Sequence, residues 1–234
     1  MASLSRLLLL DCETTGLEPG TAELCEIGAV LFSVPHRSVL QQLSFLLPVV
    51  TNPAEDVNGI APALTLEEQP AVEARALFLA MVASADALVA HNAAFDRPWI
   101  DAWLSTTSKG DTRAQGKPWI CTCEGISWEG IRPNPSLATL ALAHGIPVWA
   151  AHRALTDCIY LAQILQRDPL LEEHLAEGLQ PRQLVAADLP FSRKDEAKAA
   201  GFRWVPEAKQ WQRRCTADQI EALPFAVIPL EDTP

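Results

Sequence analysis

The sequence predicts an α/β fold: a mixed five-stranded sheet flanked by helices, followed by a small C-terminal α+β module. Three observations carry this. Three short apolar runs crowd the first 47 residues, close enough to pair as an antiparallel meander. Strand-like and helix-like segments then alternate, which extends the sheet and covers both its faces with helices. Near residue 190 the composition turns from acidic to basic and aromatic.

The elements follow in order. Residues 6–11 read as a short buried strand, 24–34 (LCEIGAVLFSV) as a second and 39–47 (VLQQLSFLL) as a third. A Pro/Asn-rich loop comes next. A helix is expected over Leu66–Ser84, with Thr65 as N-cap and Glu68 completing a capping box. Residues 87–92 (ALVAHN) read as a fourth strand, FDRPWIDAWLS as a helix and 118–123 (PWICTC) as a fifth strand. PSLATLALAHGI is a helix with Gly145 just past its end. Residues 154–166 form another, because Cys158, Leu161, Ala162 and Leu165 recur at helical spacing. A terminal helix and a Pro-containing linker, QPRQLVAADLP, lead to the module. There Ser192 and Asp195 suggest a helix start and Gly201 its end. FRW and QWQRR read as a hairpin around Pro206, and Thr216 with Gln219 caps a last helix. The expected division is 1–170, a linker over 171–190, and a module over 191–234.

Composition narrows the function classes. No apolar run approaches the roughly 20 residues of a membrane span, and RLLLLD is too short for a signal-peptide core. The expectation is a soluble cytoplasmic protein with no membrane partner, nucleoid association being open. The six cysteines are scattered, without a C-x-x-C, so neither a disulfide framework nor a zinc site is indicated. Net charge is −11, which argues against binding duplex nucleic acid by charge alone. Residues 191–215, however, hold seven Lys and Arg against three acids.

The opening strand runs into Asp11 and Glu13. Residues two apart on a strand share a face, so the two carboxylates lie roughly 6–7 Å apart at the backbone. Like charges that close raise each other's pKa, and a divalent cation between them is the usual remedy. Two further acidic or basic features fall at element ends: Asn92 with Asp96 in HNAAFD, and His152 with Asp157 in HRALTD. Each alone has an ordinary reading. Asp11 and Glu13 could simply end a strand, Asp96 could be a first-turn acid suited to the helix dipole, and His152 a loop residue. Asp157, on an otherwise apolar helix face, needs a partner.

Together the motifs D-x-E-T-T-G-L (Asp11, Glu13, Thr14, Thr15, Gly16, Leu17), H-N-x-x-F-D (His91, Asn92, Phe95, Asp96) and H-x(4)-D (His152, Asp157) make residues 6–167 resemble the DEDDh exonucleases, the DnaQ-like branch of the RNase H-like fold. EIGAV at 26–30 and LATLA at 137–141 look like this family too. In the sister branch a tyrosine lies four residues before the last aspartate, where this chain has Arg153, so the histidine branch is indicated. Two departures, Asn58 in NGI and Cys121 in ICT, lie outside the catalytic set and bear on substrate preference.

The resemblance implies a 3′→5′ exonuclease releasing nucleoside 5′-monophosphates from single-stranded or frayed DNA or RNA. Asp11, Glu13, Asp96 and Asp157 would hold two divalent ions, Mg²⁺ or Mn²⁺, suited to hard oxygen ligands. Asp11 would bridge both ions. His152 would accept the attacking water's proton, a task that suits an imidazole at neutral pH. Backbone amides around Thr14, Thr15 and Gly16 would meet the terminal nucleotide, Leu17 and Phe95 would pack on bases, and Asn92 would hydrogen-bond the substrate. With no polymerase-length segment, proofreading would need a polymerase or repair partner in trans. The alternative is a catalytically weak nucleic-acid-binding or adaptor protein on a nuclease fold. Loss of one acidic ligand would favour it, and all five catalytic positions are filled. An endonuclease on the same fold is disfavoured by the histidine spacing.

In the module, Arg203, Lys209, Arg213 and Arg214 interleave with Trp204 and Trp211, a pattern that can stack single-stranded bases and meet phosphates. The competing reading makes the tryptophans the module's own small core.

Overall fold

The computed structural model describes residues 4–107, 116–150 and 152–231. Its first sheet comprises β1 (Arg6–Thr14), β2 (Leu24–Ser33), β3 (Ser38–Leu46), β4 (Ala87–Ala90) and β5 (Trp119–Cys121). Their spatial order is β3-β2-β1-β4-β5. The first three strands pair antiparallel, whereas β4 joins β1, and β5 joins β4, in parallel. This is the mixed RNase H-like sheet that the sequence predicts.

The run of leucines explains the layering. Side chains alternate along a strand, so Leu7 and Leu9 enter one core, while Leu8 and Leu10 enter the other. The first core contains Tyr160, Leu161, Ile164 and Leu165 from α6 (Ala154–Arg167). The second contains Phe78, Met81 and Val82 from α3 (Ala71–Ser84) and Trp99 and Ile100 from α4 (Ala93–Thr107). By the same alternation Asp11 and Glu13 share the face that α6 covers, and Cys12 points to the α4 side.

Several boundaries differ from expectation. β1 continues to Thr14, with a register shift between Glu13 and Thr14, so both carboxylates lie within the strand. The helix expected from Leu66 begins only at Ala71, because Pro70 cannot sit in a helix interior and takes the N-cap position. Thr65 instead ends α2 (Pro62–Thr65), where its hydroxyl donates to Pro62 O (2.7 Å) and accepts from Val49 N (3.0 Å). The Pro/Asn-rich loop carries α1 (Glu55–Asn58). In α5 (Leu137–Ala143), Ser136 caps the start by accepting from Thr139 N, and Gly145 takes φ +67° beyond the end, as predicted.

A second, four-stranded antiparallel sheet follows α7 (Leu171–Gly178). Its order is β7 (Arg203–Val205), β8 (Gln210–Cys215), β6 (Gln183–Ala187), β9 (Val227–Pro229). The stretch read as a linker therefore supplies a central strand of this sheet. The helix start expected at Ser192 is a short 3₁₀ turn over Phe191–Arg193, after which α8 (Lys194–Ala199) lacks a side-chain cap. The hairpin of β7 and β8 and the Thr216/Gln219 capping box of α9 (Ala217–Glu221) form as read. Residues 232–234 of the expected module lie outside the described residues.

Candidate active site

Glycine determines how α6 meets the sheet. Gly28 on β2 pairs with Asp11 on β1. A Cβ at Gly28 would lie 2.3 Å from Ala154 C and 2.5 Å from Leu155 N. Only glycine lets the first turn of α6 approach β2 this closely, and that turn carries Asp157. Carboxylate oxygens of Asp11, Glu13 and Asp157 accordingly lie within 4.8 Å of one another.

Glu26, opposite Glu13 on β2, anchors the same turn. Its carboxylate, 2% exposed, accepts from Arg153 Nε (3.0 Å), Arg153 Nη2 (2.9 Å), Ala154 N (3.1 Å) and Ser44 Oγ (2.7 Å). Burial alone would raise the Glu26 pKa, but these donors outweigh it and hold the group below the usual value. The bidentate arginine ties down the chain directly after His152. His152 adopts φ +61°, a conformation rare for a residue with a Cβ. Its amide donates to Asp157 Oδ2 (3.1 Å) and its side chain is exposed at the cleft. The sequence reading passed over Glu26 as a site residue. Its signal was an acid inside an otherwise apolar strand.

Asp96 comes from the opposite layer, in the first turn of α4, and is 2% exposed. Its Oδ1 accepts from Cys12 N (3.0 Å), which fixes it against β1. It lines the same cleft as the other three acids, although the tight trio does not include it.

The electrostatics are unfavourable without a cation. Burial is the main cause in each case. It raises the Asp11 pKa well above the usual carboxylate range, with the charges of Asp96, Asp157 and Glu13 adding to it. Glu13 is pushed up to about 8 by burial and then by Asp157 and Glu26. Asp96 rises to about 7 despite the hydrogen bond from Cys12, and Asp157 also rises. An all-oxygen, multiply anionic donor set of this kind fits hard divalent cations. These residues therefore fit the metals implied by the resemblance.

The cleft holds about 640 Å³. Thr14, Thr15, Gly16, Leu17, Asn92 and Phe95 all line it. The threonine side chains are committed locally: Thr14 Oγ1 donates to Gly16 O (2.6 Å) and Thr15 Oγ1 accepts from Glu23 N (2.9 Å). Leu17 is 79% exposed, and Val57 on α1 also stands exposed at the cleft. Val57 escaped the sequence reading because its segment was taken as loop. Asn58 is buried and structural: it accepts from Asn52 Nδ2 (2.9 Å) and donates to Thr14 O (3.2 Å). His91 bridges Thr122 Oγ1 and Pro135 O, each 3.0 Å away. Its pKa is lowered to about 4, chiefly by burial, so the ring is neutral at physiological pH.

The candidates of the C-terminal module are not among the residues that line this cleft. Trp204 and Trp211 pack against each other, with ring centroids 5.5 Å apart, and Trp211 joins the module's core around Phe202. Arg213 donates to Ala200 O (2.7 Å) and Arg203 pairs with Glu124 at 3.4 Å. Lys209 and Arg214 are exposed, Lys209 in the hairpin turn with φ +51°.

Comparison with known proteins bears on the fold and the family. The family model described as "Exonuclease" matches residues 8–165, and a domain of unknown function (DUF8626) matches 183–230. The DNA polymerase III PolC-type proteins of Thermotoga petrophila and Thermotoga maritima are each 26% identical over 180 residues, 68% of this chain. The chain spans only 12% of the length of those relatives. Among solved structures, exonuclease I superposes with TM-score 0.59 at 18% identity, over 78% of this chain and 48% of the other. The nuclease domain of 3′hExo, a DEDDh family member bound to rAMP, gives 0.56 at 14% identity, over 74% and 94%. Similarity at that level of identity establishes the shared fold. With the family match covering most of the folded sheet and its helices, the chain belongs to the exonuclease family.

Proposed function

We propose that this cleft removes nucleotides one at a time from the 3′ end of single-stranded or frayed DNA or RNA, releasing nucleoside 5′-monophosphates. The observation that carries the reading is the convergence of Asp11, Glu13 and Asp157 within 4.8 Å, with Asp96 lining the same cleft. Carboxylates brought together at this cost in repulsion are suited to holding cations. Two divalent ions held by them, Mg²⁺ or Mn²⁺, would supply a water nucleophile at neutral pH and neutralise the charge of the leaving oxygen.

The chain's own residues do the rest. His152, exposed at the cleft and held by Arg153 and Asp157, takes the proton from the attacking water. Leu17 and Val57 offer apolar surface to the terminal base. Phe95 and Asn92 line the same cleft, where they pack on a base and hydrogen-bond the substrate. The likeness to PolC-type polymerases supports a polymerase or repair partner in trans.

The test is a time course with 5′-labelled single-stranded DNA and RNA in Mg²⁺, Mn²⁺ or EDTA. The expected outcome is a metal-dependent ladder shortening from the 3′ end and absent in EDTA. Internal cleavage, or intact oligomers with either metal, contradicts the proposal.

A further inference from the structure

A second groove lies where the sheet edge meets the C-terminal module. It holds about 550 Å³. The walls carry three arginines, Arg97 from α4, Arg182 ahead of β6 and Arg214 from β8, and half-buried Trp119 also lines it. Among the described residues that line it, the one acid, Glu124, is paired with Arg203 at 3.4 Å. A locally basic groove is notable in a chain of net charge −11.

Position supplies the function. Asn92, Phe95 and Asp96 line the active cleft, while Ala93, Ala94 and Arg97 line the groove. One turn of α4 is thus the shared wall, and the two spaces are separated by no more than a helix diameter, about 10 Å. Ala93 and Ala94 put little bulk on that wall. Arg182 is held rigidly, donating to Gly125 O (2.6 Å) and Gln219 Oε1 (2.9 Å) and pairing with Glu177 at 3.9 Å. Among the described residues Arg97 has an exposed ion pair with Asp101 at 3.3 Å, and such pairs yield readily to a phosphate.

We propose that this groove is a single-strand binding track, in which Arg97, Arg182 and Arg214 meet phosphates and Trp119 stacks a base of the strand whose 3′ end occupies the active cleft. The inference rests on the exonuclease reading for its direction but not for its test. It moves the module's contact surface away from the hairpin tryptophans, which pack on one another, to the face that carries Arg214.

The test measures binding without hydrolysis. Fluorescein-labelled oligothymidylate of about 12 nucleotides, within the span of single-strand sites, is titrated with the full chain in EDTA, following anisotropy at several salt concentrations. The proposal expects R97E/R214E to weaken binding at least about tenfold and to flatten the log-log salt slope by roughly 0.7 per arginine. The milder pair R97Q/R214Q should show the same direction, which separates the effect from misfolding. R132E, on another face of the seam, serves as the charge-matched comparison. Unchanged affinity and slope in both double variants would overturn the proposal, as would a loss confined to R132E. Competition by an acidic peptide equal to that by the oligomer would show a protein-binding groove instead. Because no step needs catalysis, failure here is distinct from failure to find nuclease activity.

Discussion

At the scale of single residues, the site is a balance of charges that the fold makes costly and a cation relieves. Glu13 is shifted from 4.5 to about 8, and Asp96 from 3.8 to about 7, chiefly by burial. Groups whose folded pKa is raised bind more protons folded than unfolded. Their neutral form stabilises the fold below the unfolded value, and that stability is lost as pH climbs through the folded value. The metal-free chain should therefore show a Tm that declines between about pH 4.5 and 8 in differential scanning calorimetry. Added Mn²⁺ should raise Tm more at pH 8 than at pH 5, because the ligands must be deprotonated to bind it. A flat profile would show that the carboxylates stay ionised without help. His152 belongs to the same scale. H152A should lower kcat by roughly 10²–10⁴, the usual worth of a general base, while leaving Mn²⁺ affinity near wild type. A parallel loss of metal affinity would assign the histidine to the ligand set.

Elements position these residues, and the decisive contact is that of α6 on β2. Gly28→Ala forces a Cβ into the backbone of Ala154. Overpacking of this kind costs about 1–3 kcal/mol, and a 1 Å displacement of Asp157 would cost on the order of 10²-fold in rate. Chemical denaturation and single-turnover kinetics on G28A should thus fall together; an active, destabilised variant would detach α6 from catalysis. The sequence showed the acids, their order and the strands beneath them, because a short continuous apolar run ending in two carboxylates one residue apart marks a buried strand and its end. It did not show Glu26, whose meaning depends on Arg153, a partner 127 positions away. Nor did it separate α1 and α2 from loop, since four-residue helices carry no period. Pro70 was a legible stop signal inside the helix expected from Leu66, and the apparent capping box of Thr65 and Glu68 outweighed it. QLVAA looked like linker because Pro181 and Pro190 flank it, although its alternation places Val185 in a core.

For the whole molecule, the C-terminal module meets the segment that follows β5 at a built seam. Asn134 Nδ2 donates to Gly201 O (2.6 Å), Gln219 reaches Ser127 Oγ (3.3 Å), and a Cβ at Gly201 would strike Pro133 at 2.7 Å. Among the described residues no helix is long and apolar enough to cross a membrane. The overall acidity need not oppose a nucleic-acid substrate, since cations at the carboxylates and arginines at the seam would place positive charge along one path. The central claim is that the four acids form a site for two cations. The most direct measurement is a calorimetric Mn²⁺ titration with thymidine 5′-monophosphate present, comparing wild type with D11N. The account predicts two ions per chain in the wild type and loss of at least one in D11N. One ion or none in the wild type, or an unchanged titration in D11N, would contradict it.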